Sequence, residues 1–492
     1  MTYLEKAKAL MPVLYTKKVK PLAESEPEKV FMWKGSSFTL DFGTHLVGHF
    51  VLKVETSFEP DSPLQLQIEF AEMPFELDDY EYTGGLSSSW IQKEIVNIDN
   101  PLEGIVLPRR YAFRYVKITL TANTGYKTKY NEAYCVAMTS ADQSKVEPLL
   151  LDDSRAIVGE NAQLLEKIDK VSLKTLEDCM QLVFEDGPKR DRRLWLGDLY
   201  LQEKANFHTF KNYDLVKRCL YLFAGLAHPD GCLSSAVYYE PVLKNQTWII
   251  HDYALYFIGI LYDCYQYMED IELVKELWDV AFRQTQIATG ALTEDGTVKP
   301  ENYFIDWCAE LDKTAAAQGI LVEMLKKARF LADIVGTQEE KTFLDEQIVI
   351  ASNAAMRMFD AETGLFVSGE KKQVSWHSQS HMILAQVYDK ETNRKILENV
   401  GKSEEAVRTV TPYARHYYVQ AMIESGLEEN GLQMILDYWG DMVKKGADCF
   451  WEVHIPGQPE ASPYGSHRIN SYCHAWSCTP TYFIRKYFSK EA

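Results

Sequence analysis

The chain has no apolar run that approaches membrane-spanning length. Its start, Met-Thr-Tyr-Leu-Glu-Lys-Ala-Lys, lacks an uninterrupted apolar stretch followed by a small-residue cleavage site. Positive charge is short: 52 Lys and Arg stand against 71 Asp and Glu, a net charge of −19. Nucleic acids and anionic membrane surfaces both recruit Lys and Arg, so neither is an expected partner. Paired cysteines are also lacking. The nine present are an odd, scattered set without a CxxC motif, which fits free thiols in a reducing compartment. Cys473 and Cys478 stand too isolated to suggest a zinc site. These absences leave the expectation of a cytoplasmic protein that acts on something small.

A length of 492 residues exceeds one ordinary core and favours two domains. Residues 1–29 read as a short helix and a polar connector. Across 30–146 the apolar period is two: Ser37-Phe-Thr-Leu-Asp-Phe42, Leu46-Val-Gly-His-Phe-Val-Leu-Lys-Val54, Leu64-Gln-Leu-Gln-Ile-Glu-Phe70 and Arg114-Tyr-Val-Lys-Ile-Thr-Leu120 alternate and end at turn residues. They predict an antiparallel β-sandwich of jelly-roll type. His45 and His49 read as surface or strand-pairing residues.

From 147 to 492 the pattern is helical, with twelve helices near 160–183, 195–209, 213–226, 250–268, 271–288, 312–335, 338–359, 376–387, 389–398, 411–425, 428–445 and 472–487. Links after the even-numbered helices are turns of a few residues, whereas links after the odd-numbered ones are long. Short links make neighbouring helices antiparallel, so every long link falls at one end of the series. Closed into a ring, the series predicts an (α/α)6 toroid with its ligand at the long-link end.

The densest chemistry lies in the first long link, Asp186-Gly-Pro-Lys-Arg-Asp-Arg-Arg-Leu-Trp-Leu-Gly-Asp198, with three carboxylates, four basic residues and one indole. Gly187-Pro188 ends the preceding helix pattern. Two readings fit: a salt-bridged turn, or a site that binds sugar hydroxyls and transfers a proton. Two other long links carry Asp306-Trp307 and Trp451-Glu452. In a closed ring the first and last long links are neighbours, so Asp191 can face Glu452. That is the acid and base pair that glycoside hydrolysis requires.

Asp186, Arg190, Asp191, Trp195, Gly197 and Asp198 fall in order on a signature, and the stretch resembles that of the bacterial α-L-rhamnosidases, glycoside hydrolase family 78. Trp451-Glu452, Asp306-Trp307, His251-Asp-Tyr-Ala-Leu, Ser471-Tyr-Cys-His474-Ala, Asp41-Phe-Gly-Thr-His-Leu-Val-Gly-His49 and Phe70-Ala-Glu-Met extend the likeness over most of the chain. One position departs from it: the family's general acid is usually Glu, and Asp191 stands there.

The resemblance implies a six-hairpin glycosidase that removes terminal α-L-rhamnose by inversion, without metal or cofactor, from a small carbohydrate substrate. Asp191 would be the acid and Glu452 the base. Asp186, Arg190 and Asp198 would hold hydroxyls, with Asp306, Trp451 and His474 beside them. Trp307 and Trp195 would form an apolar wall, and a homodimer is a candidate assembly. Three arginines flank Asp191, which opposes its protonation, and its shorter side chain withdraws the proton by about 1.5 Å relative to Glu. Asp186 is therefore a second candidate acid. Two alternatives remain: a sugar epimerase, in which His377, His381 or His474 would converge, and a catalytically silent sugar-binding protein. His377 and His381 also have metal-ligand spacing, but no third ligand is evident.

Overall fold

The structure, a computed structural model, describes residues 1–78, 82–458 and 461–490. Its N-terminal part is built on eight strands: β1 (Tyr15–Val19), β2 (Phe31–Met32), β3 (Ser37–Thr56), β4 (Leu64–Ala71), β5 (Lys93–Ile98), β6 (Ile105–Val106), β7 (Tyr111–Leu120) and β8 (Thr128–Thr139). They form one antiparallel sheet in which β1, β8, β3, β7, β4 and β5 are successive neighbours, while β2 joins β8 and β6 joins β3.

The long β3 organises this sheet. Residues 37–48 pair with β7, and residues 48–56 pair with β8. The partner changes at Gly48, where a Cβ would fall 2.2 Å from the Val136 carbonyl oxygen, so only glycine lets the strands meet. Leu40 and Phe42 on one half of β3 share an apolar core with Phe50 and Leu52 on the other, and with Phe70, Tyr111 and Phe113. The expected sandwich is thus one continuous sheet with a common core. β1 falls within the segment read as a connector. It is an edge strand, almost wholly exposed, and its polar sequence Tyr-Thr-Lys-Lys-Val carries no alternation to betray it.

Helix α1 (Tyr3–Ala9) precedes the sheet, and its Tyr3 hydroxyl donates to the Glu276 carbonyl at 2.9 Å. After a short α2 (Ala156–Glu160) come twelve helices: α3 (Ala162–Cys179), α4 (Leu196–Phe207), α5 (Tyr213–Gly225), α6 (His251–Met268), α7 (Ile271–Gly290), α8 (Thr314–Val335), α9 (Gln338–Arg357), α10 (Trp376–Leu384), α11 (Lys390–Lys402), α12 (Pro412–Glu424), α13 (Glu428–Lys444) and α14 (Pro480–Tyr487). The even-numbered ones form an inner ring, α4 meeting α6, then α8, α10 and α12, with α14 closing against α4.

Their sequences explain the two layers. In α4 every residue but Lys204 is buried, whereas α11 buries only the stripe Asn393, Ile396, Leu397 and Val400. Gly197 belongs to the packing of the ring: a Cβ there would lie 2.3 Å from the Tyr253 ring on α6. The last helix starts at Pro480 rather than near 472, because proline suits the first helical position and the preceding residues form a 3-10 turn. No helix among the described residues is long and apolar enough to cross a membrane.

The sheet domain covers the outer side of the first and last long links. Arg110 binds Glu185 at 2.7 and 2.9 Å, and Lys189 reaches Glu76. His45 lies inside this junction, fully buried between Glu72 and Asp178. This corrects its reading as a surface or strand-pairing residue. His49 does pair, opposite Val136.

Candidate active site

The N-termini of the inner helices and the long links lie at one end of the toroid, and the charged residues of the 180–195 and 445–479 links meet there. Glu452 is 1% exposed, yet it is well supplied with donors. Arg190 Nη2 donates to both of its oxygens, at 2.5 and 2.6 Å, the Tyr464 hydroxyl donates at 2.5 Å and the Ser471 amide at 3.0 Å. Burial opposes the charge of Glu452, but the Arg190 guanidinium and the hydrogen bond from the Tyr464 hydroxyl outweigh it and hold the carboxyl at about 2. Arg190 is fixed in turn by its bond to the Ile469 carbonyl at 3.1 Å and by the Tyr464 ring, 4.4 Å from the guanidinium carbon.

Asp191 shares this guanidinium, with its Oδ1 3.6 Å from Arg190 Nη1. The two contact distances and the width of the fork place the nearest oxygens of Asp191 and Glu452 within about 8 Å of each other. Asp191 and Arg192 both adopt left-handed backbone conformations, with φ of 64° and 52°, a strain that persists only where surrounding structure enforces it. The Asp186 carboxylate accepts the Arg193 amide at 3.0 Å and helps to close this turn. The flanking arginines are also engaged. Arg190 serves Glu452, Arg193 lies over the Tyr238 ring with its Nη1 still 3.9 Å from Asp191 Oδ2, and burial together with Arg110 lowers Arg192 to about 10.

Asp186 and Asp198 are both buried. Burial raises each well above the usual carboxylate range, with further contributions from Asp191 and Asp198 for Asp186, and from Glu452 for Asp198. His474 sits between them, its Nδ1 3.7 Å from Asp198 Oδ1 and its Nε2 4.0 Å from Asp186 Oδ2. Burial lowers His474 to about 3, so it is a neutral imidazole. Asp198 Oδ1, His474 Nδ1 and Ser471 Oγ are buried without a hydrogen-bond partner. Each of these buried atoms has room for one more hydrogen-bond partner, which a ligand or a water can supply.

The other expected contacts divide. Trp307 is 40% exposed and stands edge-on to Phe304 and Tyr464. Trp195 meets Trp248 and Tyr253. Asp306, expected beside the sugar, is occupied by the protein: Oδ1 accepts the Trp307 and Thr411 amides and the Thr411 hydroxyl, and Oδ2 accepts the Val410 amide and lies 2.7 Å from His377 Nε2. It joins its own link to the link before α12 and to the first turn of α10, and it positions Trp307. Asp252, at the start of α6, does similar service by accepting the Phe304 and Ile305 amides, which holds Ile305 at a φ of 57°. Trp451, also expected at the sugar, packs edge-on between His454 and Tyr472 as a core residue beneath Glu452.

Tyr464 and Ser471 are functional candidates that the sequence reading missed. Tyr464 stands in the same long link as Glu452, and an aromatic between Pro463 and Gly465 was the available signal. His377 is spent on Asp306 and His381 lies against Tyr417, so the histidines do not converge. A cavity of about 640 Å³ opens at the opposite, short-link end. Lys204 there pairs with Asp263 and Lys327 with Glu323, and none of Asp186, Asp191, Asp198 and Glu452 lines it, so its volume does not make it the reaction site.

A closed six-hairpin ring with two carboxylates sharing one guanidinium at its long-link end, preceded by an antiparallel sheet, is the architecture of a six-hairpin glycosidase. Residues 6–137 match the glycosyl hydrolase family 78 α-rhamnosidase N-terminal domain, and residues 155–488 match the bacterial α-L-rhamnosidase six-hairpin glycosidase domain. The chain belongs to the family 78 α-L-rhamnosidases. It is similar to a Klebsiella oxytoca rhamnosidase solved with rhamnose bound, at 39% identity and a TM-score of 0.92, over 99% of this chain and 98% of that one. Rhamnosidases of Bacillus sp. GL1 (19% identity, TM-score 0.78) and Streptomyces avermitilis (14%, 0.71) share the fold over 94% and 96% of this chain, but only 47% and 44% of theirs. A comparison with curated proteins found no match.

Proposed function

We propose that the protein hydrolyses terminal α-L-rhamnosides of small glycosides with inversion at the anomeric carbon. The observation that carries this reading is the single guanidinium of Arg190 shared by Glu452 and Asp191. It ties the two carboxyls to one cation with their nearest oxygens no more than about 8 Å apart, a limit that admits the spacing of about 6.5–9.5 Å used by inverting enzymes.

Asp191 donates its proton to the glycosidic oxygen as the C–O bond breaks. Glu452, ionised over the working pH range, orients a water on the opposite face of the ring and takes its proton. The transition state resembles an oxocarbenium ion, so it needs little push from the water, and a weakly basic carboxylate suffices. Asp186 and Asp198, whose pKa burial raises, bond sugar hydroxyls together with His474. The orphaned atoms there are the groups left waiting for such partners. Trp307 supplies the apolar face against which ring carbons and a 6-methyl group rest, with Tyr464 beside it.

The test is release of nitrophenol from a panel of aryl glycosides by the parent, Asp191→Asn and Glu452→Gln. The expected result is turnover of the α-L-rhamnoside by the parent and a loss of about 10²–10⁴-fold in each variant. Near-parent activity in Asp191→Asn would move the acid to Asp186. A parent silent on the whole panel would overturn the proposal.

A further inference from the structure

Outside the catalytic centre, a second group of side chains with metal-binding chemistry meets at the junction of sheet and toroid. His45 on β3, Asp178 in the last turn of α3, and Cys449 and Cys473 on the α13–α14 link each present a donor atom. These four atoms lie within 4.8 Å of one another, and all four residues are buried. Cys179 completes the cluster, its Sγ 4.0 Å from that of Cys473.

We propose that His45, Asp178, Cys449 and Cys473 hold one structural zinc ion. Two thiols, an imidazole and a carboxylate are the N, S and O set that zinc takes in four-coordinate sites. The spacing is close to what such a site needs. Cys449 Sγ lies 3.8 Å from Asp178 Oδ2, and the corresponding edge of a zinc tetrahedron is about 3.6 Å. His45 Nδ1 and Asp178 Oδ2 face each other at 2.6 Å and would separate to about 3.4 Å to admit the ion.

The surroundings fit as well. His45 Nε2, the nitrogen turned away from the cluster, lies 3.0 Å from Glu72 Oε1, and the other oxygen of Glu72 accepts the Tyr472 amide at 2.6 Å. That is the carboxylate–histidine pairing that orients a metal-bound imidazole. Asp178 Oδ1 accepts from Lys174 Nζ at 2.8 Å, which leaves Oδ2 for the ion. Binding forms four bonds to the ion and releases two thiol protons and the proton between His45 and Asp178 to solvent, with no change of oxidation state. The ion's two charges and Lys174 then offset two thiolates and Asp178.

The placement gives the ion a purpose. Four protein ligands leave no open position, so the site is structural. Cys473 directly precedes His474, Cys449 stands three residues before Glu452, and Asp178 ends the helix that leads to Asp186. One ion would pin the two catalytic links to each other and to the sheet domain through His45. The expectation of no metal weighed Cys473 only against its sequence neighbour Cys478, whereas its partners in space lie far along the chain.

The experiment is elemental analysis of the full chain, purified without chelator from zinc-supplemented culture. It is paired with cobalt reconstitution of protein stripped under reducing conditions. A single zinc per chain is expected, together with thiolate-to-cobalt charge-transfer absorption. The Cys449→Ser/Cys473→Ser variant should lose both, and Cys478→Ser, a buried thiol outside the cluster, should keep both. In case the double variant misfolds, titration of the parent with an organomercurial in the presence of a chromogenic zinc chelator should release the ion in step with thiol loss. Zinc at trace level in the reduced, zinc-equilibrated parent would overturn the proposal. So would a Cys449–Cys473 disulfide in its peptide map, or cobalt spectra without thiolate bands.

Discussion

Arg190 is the most informative residue to perturb, because both proposed catalytic carboxyls depend on it. Glu452 is buried, and its charge is maintained by the Arg190 bonds at 2.5 and 2.6 Å and the Tyr464 hydroxyl at 2.5 Å. Breaking a buried ion pair from one side costs about 3–5 kcal/mol. At 1.36 kcal/mol per pKa unit, Arg190→Met should lift Glu452 from about 2 to about 4–6. A hydrogen bond to a charged group is worth about 1.5–3 kcal/mol, so Tyr464→Phe should lift it by only about 1–2 units.

The sign follows from the base having to be ionised. The acid limb of kcat/KM should move to higher pH in both variants, further in Arg190→Met, and activity lost at pH 5 should be partly regained at pH 7. Stability should follow the same linkage. A depressed carboxyl contributes stability above its unfolded value, and that contribution disappears as pH falls through about 2. The assay is the pH dependence of kcat/KM on an aryl α-L-rhamnoside for parent and both variants. If both variants lose activity by a constant factor at every pH, with the acid limb unmoved, Glu452 is not the group these contacts hold ionised.

Asp306 should prove structural. Asp306→Ala strips the acceptor from the Trp307, Val410 and Thr411 amides and should cost about 2–4 kcal/mol in chemical denaturation, with the Trp307 fluorescence environment changed. Asp198 should behave in the opposite way. Burial raises its pKa, so ionising it costs stability as pH rises through the carboxylate range, and Asp198→Asn removes that cost. The variant should melt about 2–4 °C higher at pH 7 while losing most activity, as calorimetry and turnover on one sample would show.

The helical ring was legible because the alternation of short and long links is set by topology and survives any detail of packing. The first and last long links were placed together by ring closure alone, and Asp191 and Glu452 do meet on Arg190. What escaped depends on orientation. The β-bulge between Asp41 and Leu46 shifts the alternation of β3, and Gly43 takes a φ of 74° there, so strand parity could not show that His45 points into the toroid. Asp306 and Trp451 adjoin residues that face the site, and one step along the chain turned the first toward the neighbouring helix starts and the second into the core. Tyr464 reaches Glu452 from twelve positions away, across a link with no periodicity to read.

The central claim is that Asp191 and Glu452 act on opposite faces of the sugar. Proton NMR of the first turnovers of an aryl α-L-rhamnoside tests it directly, by observing the anomeric signal before mutarotation. Inversion by this pair requires β-L-rhamnose to appear first, with the α anomer growing in later. Initial release of α-L-rhamnose would mean a covalent intermediate on one carboxylate, and it would contradict the roles assigned to both.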